Sequence, residues 1–461
     1  MGPATDGSAD PRPDTQGVVV ADVYAELLPP LAEAEALLEA DACLECGGPY
    51  ATAPCAEACP ANIDVPGFVG AIANGDPEGA AELIFAENLL GGSCARVCPV
   101  ETLCEGACVL AHDGRAPIAI GALQRYATDV AFGRGVRLRA RRHASGKRIA
   151  VLGAGPAGLA CAGELALLGH DVTIYDARDE VGGLVRFAIA PYRQLREPLP
   201  SEAEAIARLG VDFRLGTPID SPEALHELES EHDACVLAVG LGDDLDVGYP
   251  GDELEGVWNS LPFIEAIKTG RPPAVGKRVA VIGGGNTAID VVREARRLGA
   301  RDVTLLYRRT EAEMPAYAHE VEEAREEGVS FLWLNAPVRF LPSDKVSQGK
   351  LGSVECRRMQ LGAPDAGGRP RPEPVPGSEF VLPVDTVVKA IGQKPRGELL
   401  DWIEGVELSH GRIAVDEAGR TGNPRWFAAG DAVNGGATVV EAVREAKLAA
   451  NAVDAFLEAP R

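Results

Sequence analysis

The spacing of apolar residues changes once along this chain, near Lys147, and divides it into two kinds of structure. Before that point Leu and Ala recur at helical spacing from Val19 to Ala42, with a break at Pro29-Pro30. Asp76-Pro77-Glu78 then opens another helix, with an Asp cap, Pro at the first position and an acid in the first turn. No strand pattern occurs up to about Arg142, so this part is expected to be helical and loop-rich. The basic run from Arg134 to Lys147 reads as a linker. Beyond it short apolar strands alternate with helices, the α/β pattern of a parallel sheet. Lys147–Ala177 and Lys277–Arg309 share one plan: apolar strand, glycine turn, helix with small residues in its first turns, second apolar strand. Two such units imply two Rossmann-like dinucleotide-binding domains. Gly362–Ser378, rich in Pro and Gly, is expected to form an exposed hairpin loop.

A chain of 461 residues exceeds one ordinary core, and about three folding units are expected. The net charge of −25 argues against nucleic-acid binding, since phosphate rewards a basic face. It fits either a solvated acidic surface or docking onto a basic face of a partner. No apolar run is long enough to span a bilayer, so no membrane association is expected. The polar segment Met1–Gln16 lacks the apolar core of a signal peptide, and residues 1–18 read as a disordered leader. A cytoplasmic location follows, in which thiols stay reduced.

Each repeat carries a glycine motif in the context that gives it meaning. Gly153-x-Gly155-x-x-Gly158 follows the strand Arg148–Leu152 and opens a helix at Pro156-Ala157. The first Gly makes the tight turn, the second lets backbone approach a pyrophosphate, and the third lets helix and strand pack. Asp176, closing the second strand, is placed for a ribose hydroxyl. The second unit reads Gly283-x-Gly285-x-x-Ala288, with Asn286-Thr287 starting its helix. Where an NAD site wants an acid it has Arg308-Arg309, which favours the 2′-phosphate of NADPH over NADH.

These motifs resemble the two-dinucleotide-fold flavoproteins related to glutathione and thioredoxin reductases. The resemblance implies FAD in the first fold and NAD(P)H in the second, inserted one. Gly182-Gly183-Leu184 resembles the family's glycine pair beside the flavin, and VVKAIGQKP, containing Gly392, a strand-end motif at a domain crossing. FAAGDAVNGGATVVEAV resembles the closing flavin motif, which implies roles for Gly430, Asp431, Ala437 and Thr438. The FAD domain is then expected at 143–243 and 386–461, around a nicotinamide domain at 244–385. No redox cysteine pair follows Cys108, so thioredoxin-reductase-like activity is not expected.

Eight of the eleven cysteines fall between Cys43 and Cys108, and two of them, Cys59 and Cys98, precede Pro as in bacterial ferredoxin sites. Iron–sulfur clusters are favoured, with structural zinc as the alternative. Residues 19–142 resemble the iron–sulfur module shared by the glutamate synthase small subunit and dihydropyrimidine dehydrogenase. ANIDVPGF, GGSCARVCPVETLCEGACV and PIAIGALQRYATD lie nearer the second branch. That resemblance implies two 4Fe–4S clusters, one on Cys43, Cys46, Cys55 and Cys108, the other on Cys59, Cys98, Cys104 and Gln124, with Cys94 a non-ligand neighbour. The loop between Cys46 and Cys55 is longer than in the family pattern.

The expected function is NADPH-dependent electron delivery through FAD and two clusters to a partner. That partner is a dihydropyrimidine-dehydrogenase-type flavin-containing catalytic subunit, or alternatively a glutamate synthase large subunit or a ferredoxin. A redox-sensing or scaffold protein with structural metal is the reading from another class. No acid–base catalytic residue is named, because hydride transfer requires none.

Overall fold

The computed structural model describes residues 25–48, 51–343, 349–365 and 368–459. The leader expected over 1–18 lies outside them. The chain forms two compact units, one of residues 26–245 with 392–461, the other containing 246–391.

The first unit begins with helices. Of the helical stretch expected from Val19 to Ala42, residues 19–24 lie outside the described residues, residues 25–32 are not helical, and the helix starts at Glu33. The helices run Glu33–Asp41, Pro54–Glu57, Val65–Ala73, Pro77–Glu87, Gly91–Val97, Val109–His112 and Ile120–Arg134. Asp76 caps its helix as expected, accepting from the Gly79 N–H at 2.9 Å. A five-stranded parallel sheet follows, in the order Trp426–Ala428, Ala234–Leu237, Arg148–Leu152, Asp171–Tyr175, Asp212–Arg214. Leu152 pairs with both Tyr175 and Leu237, so the strands end level and the turns after them share one edge of the sheet. In a sheet of this kind that edge is the ligand edge.

The cysteine-bearing helices do not form a unit of their own, contrary to the three expected. Ile72, Ile84, Leu89, Leu90 and Leu123 share one continuous core with Leu159, Leu165, Ile206 and Val443 of the first sheet's helices. A Cβ at Gly163, in the helix Pro156–Leu167, would lie 2.3 Å from the Leu89 side chain, so glycine is needed for that contact. Lys447, in the closing helix Val439–Glu458, donates to the Glu87 carbonyl at 2.9 Å and to its carboxylate at 2.6 Å.

The second unit holds another five-stranded parallel sheet, ordered Val257–Asn259, Thr386–Ala390, Arg278–Gly283, Asp302–Tyr307, Ser330–Trp333. Thr386–Ala390 was expected in the FAD domain. It instead pairs residue for residue with Val279–Gly283, and all five of its residues are buried. An antiparallel sheet of Asn335–Pro342, Leu351–Pro364, Pro370–Pro374 and Phe380–Pro383 completes the unit. The Pro-rich hairpin segment thus contains a strand. It lies at a sheet edge, where missing N–H donors cost no ladder bond. Among the described residues no helix is long and apolar enough to cross a membrane.

Candidate functional site

The turn Gly153–Gly158 shows a division of labour among its glycines. A Cβ at Gly153 would meet the Ala238 carbonyl at 2.3 Å, and one at Gly158 the Gly153 carbonyl at 1.8 Å, so both are required by the fold itself. Gly155 is different: its φ of −74° suits any residue, and the nearest atom to a Cβ would be Gly183 Cα at 3.9 Å. The fold leaves that space open, as a pyrophosphate lying against the backbone would need. Asp176 accepts from the Ala154 N–H at 2.6 Å and the Arg178 N–H at 2.8 Å, which holds its carboxylate beside the turn. Gly182 donates its N–H to the Ala154 carbonyl at 2.7 Å, bringing Gly183 and Leu184 to the same place.

The closing motif folds as a short helix Asp431–Asn434, a glycine pair, and the long helix Val439–Glu458. Burial pushes the Asp431 carboxyl above its usual range, although the Ala437 N–H donates to it at 3.3 Å. Thr438 caps the long helix in a reciprocal box with Glu441, so its hydroxyl is committed to the helix end. Gly430 donates its N–H to Glu445, and the Gly392 carbonyl accepts from the Leu245 N–H at 2.8 Å.

In the second unit the same logic recurs. Gly283 is forced by the Ala390 carbonyl, 2.2 Å from its would-be Cβ, whereas nothing lies within 4 Å of one at Gly285. Ala288 fills the third-glycine position and is buried. The Asn286 side-chain oxygen accepts from the Tyr317 N–H at 3.0 Å, and Thr287 is exposed. The two arginines separate. Arg308 is exposed, whereas Arg309 is buried with its Nε donating to the Pro370 carbonyl at 2.9 Å. Arg309 therefore serves the fold, and Arg308 is the one left exposed. Tyr307 packs against this turn: its ring lies 2.4 Å from a would-be Cβ on Gly284, and its hydroxyl accepts from Arg369 at 2.8 Å.

The eight clustered cysteines fall into two groups of four. Cys43, Cys46, Cys55 and Cys108 line one cavity, otherwise walled by apolar side chains such as Val65, Val69, Leu110 and Ile118. Cys55 reaches it despite the long loop before it. Burial pushes the Cys55 thiol up to about 11 and raises Cys43, with neighbouring thiols of the group adding to both. Cys59, Cys94, Cys98 and Cys104 form the second group. The Cys98 thiol is raised by its hydrogen bond with Cys94 and by burial, and also feels Cys104 and Cys59. Cys94 thus stands beside the other three thiols, in the neighbouring position that the sequence reading gave it. Gln124 is buried, and its side-chain amide donates to the Gly91 carbonyl at 2.7 Å, at the start of the helix that carries Cys94.

Among the described residues no three His, Cys, Asp or Glu side chains gather closely enough to hold a single metal ion. Four thiols ringing an apolar cavity suit a larger inorganic core than zinc, whose thiolates must all approach to about 2.3 Å of one point. Apolar walls also limit water access, a determinant of cluster potential. Cys161, Cys235 and Cys356 are buried apart from both groups.

Comparison with known proteins accords with both halves of this picture. Residues 147–446 match the pyridine nucleotide-disulphide oxidoreductase family, and residues 20–136 match dihydropyrimidine dehydrogenase domain II, 4Fe-4S cluster. The glutamate synthase [NADPH] small chain of Escherichia coli is 38% identical over 94% of this chain and 94% of its own. The NADP(+)-dependent formate dehydrogenase subunit beta of Moorella thermoacetica is 39% identical over 89% of this chain and 60% of its own. Among solved structures, FprA of Mycobacterium tuberculosis with NADPH superposes with a TM-score of 0.57 at 19% identity, covering 68% of this chain and 85% of that one. Three glutamate synthase small chains match nearly end to end, and nearness to the dihydropyrimidine dehydrogenase branch is not specifically supported. The chain belongs to the family of the glutamate synthase [NADPH] small chain and is an NADPH-dependent flavin and iron–sulfur oxidoreductase.

Proposed function

We propose that this chain is the electron-input subunit of a glutamate-synthase-type complex, taking electrons from NADPH and delivering them to a separate large subunit. The observation that carries the reading is the shared core of the cysteine helices and the FAD fold. Electron transfer between two centres demands a fixed separation, and a common core supplies it. Bound FAD and clusters would supply conversion of a hydride pair into single electrons.

The residues present fit those groups. Gly153, Gly155, Pro156, Ala157, Gly158, Asp176, Gly183 and Leu184 form the FAD cradle, with Gly392, Gly430, Asp431 and Ala437 closing it. Gly283, Gly285, Asn286, Thr287 and Arg308 hold NADPH, the arginine through the 2′-phosphate. Cys43, Cys46, Cys55 and Cys108 hold one 4Fe–4S cluster. Cys59, Cys98, Cys104 and Gln124 hold the second, with the Cys94 thiol beside Cys98. The partner is one with a basic docking face: between Pro13 and Ala95 the chain carries many acids and not one Lys, Arg or His. Glutamate synthase small chains that match over nearly their whole length favour this partner over a dihydropyrimidine-dehydrogenase-type subunit or a ferredoxin.

The test is purification without oxygen, analysis of iron, sulfide and flavin, and NADPH oxidation with and without a glutamate synthase large chain. About eight iron, eight sulfide and one FAD, with turnover dependent on the large chain and weakened by salt, support the reading. Zinc without sulfide, or no turnover of NADPH with any acceptor, would return the chain to a sensor or scaffold role.

A further inference from the structure

The helix Gly91–Val97 carries Cys94 and delivers Cys98, yet its own sequence leaves its first turn without a cap. Leu90 stands at the N-cap position and makes no side-chain cap hydrogen bond. The first N–H groups of any helix lack internal partners, and burying them unsatisfied is costly. Here the partner comes from the FAD fold. Glu202, in the helix Leu199–Ala207, is only 1% exposed, and its carboxylate accepts from the Ser93 N–H at 2.8 Å and the Ser93 hydroxyl at 2.5 Å. The backbone N–H of Gly92 also faces this carboxylate and favours its charged form. Gln194 donates to the same Ser93 hydroxyl at 3.1 Å, so the hydroxyl both gives and receives. A Cβ at Gly92 would sit 3.2 Å from the Glu202 carboxylate and 2.8 Å from Pro198 and Phe132. Glycine at 92 is what lets the carboxylate come this near the helix end.

We propose that Glu202 is a positioning residue: from the FAD fold it caps the cysteine helix across the chain and so fixes the second cysteine group against the flavin. The inference rests on the reading that this group holds a cluster. A cap supplied by the helix's own neighbour would stabilise the helix wherever it lay. A cap supplied from 109 residues away exists only while helix and FAD fold are in register. The two hydrogen bonds to one residue, Ser93, set the helix along its axis, and the shared core alone could not do that, because apolar packing is non-directional.

The experiment uses the full chain, purified without oxygen, as wild type, Glu202→Gln and Ser93→Ala. Hydrogen exchange is followed in the peptide covering 91–98, and iron content and the electron paramagnetic resonance spectrum of the reduced protein are recorded. In Glu202→Gln, exchange at the first amides of the helix should rise about tenfold. The signal of one cluster should change or be lost while the other stays. Ser93→Ala should act in the same direction and more weakly, and it decides the matter where Glu202→Gln does not fold. Unchanged exchange together with an unchanged spectrum, in either variant, overturns the proposal. Wild-type protein holding zinc and no sulfide sinks the cluster reading instead, and the exchange result still judges whether Glu202 caps the helix.

Discussion

The side-chain amide of Gln124 donates to the carbonyl of Gly91 at 2.7 Å, tying the helix Ile120–Arg134 to the first residue of the cysteine helix. That bond decides the amide's orientation, since only the nitrogen end can donate, and leaves the oxygen as the end that a metal would use. Two side chains compete to be the fourth ligand of the second group, Gln124 and Cys94. Substituting Cys94→Ala is expected to leave about eight iron per chain, whereas Gln124→Ala is expected to remove about four or alter the signal of one cluster. The reverse pattern in iron analysis would make Cys94 the ligand and Gln124 a strut for the helix.

The glycines of the two turns divide into those the fold needs and those a ligand needs, and substitution separates them. Gly158→Ala would put a Cβ 1.8 Å from the Gly153 carbonyl and should cost about 3 kcal/mol or more, with low yield of folded protein. Gly155→Ala meets nothing nearer than 3.9 Å and suits the backbone there. Its apo form should melt within about two degrees of wild-type apo protein while retaining at most about a tenth of the flavin. Gly285→Ala should likewise fold normally and raise KM for NADPH about tenfold. Equal flavin content in Gly155→Ala and wild type would place the pyrophosphate elsewhere.

Much of this architecture was legible because its signals are local. Strand, glycine turn and helix follow one another within a dozen residues, and a Gly158 Cβ clashes with an atom five positions away. Thr386–Ala390 was assigned to the FAD domain because an all-buried parallel strand looks alike in either sheet. The fusion of the cysteine helices with the FAD fold left no sequence signature, since Leu89 against Gly163 is a contact of shape between distant segments. Glu202 was invisible for the same reason: a Glu in an acid-rich helix reads as solvated until the fold buries it. Arg308 and Arg309 looked equivalent, because strand alternation decides which is exposed only once the sheet's faces are known.

That last distinction gives a test of cofactor choice. Arg308 is exposed and holds no ion-pair partner among the described residues, so it is available to a 2′-phosphate. A charge-assisted hydrogen bond of this kind contributes about 1.5–3 kcal/mol. Arg308→Ala should therefore raise KM for NADPH at least about tenfold and change that for NADH little. Arg309→Ala removes the bond to the Pro370 carbonyl and should lower Tm without altering the preference between the two nucleotides. Parallel effects of Arg308→Ala on both would show that the 2′-phosphate is bound by something else.

Burial also makes Glu202 a source of pH-dependent stability, and the sign is specific. Loss of solvent pushes its carboxyl from about 4.5 up to about 7, outweighing the Ser93 hydrogen bonds, the Gly92 N–H and the nearby Arg96 cation, all of which pull it down. The unfolded chain releases that proton near 4.5, so between there and about 7 the folded state binds more protons. Stability contributed by this group is present at low pH and is lost as pH rises through that window, by on the order of 3 kcal/mol at most. Other carboxylates titrate over the same range, so the comparison must be against Glu202→Gln, which keeps the volume and cannot ionise. From pH 5 to pH 8 the melting temperature of wild type should fall relative to that of the variant, by several degrees. A difference that stays constant across the range would mean that Glu202 ionises near its ordinary value and that the interior around Ser93 is wetter than its burial implies.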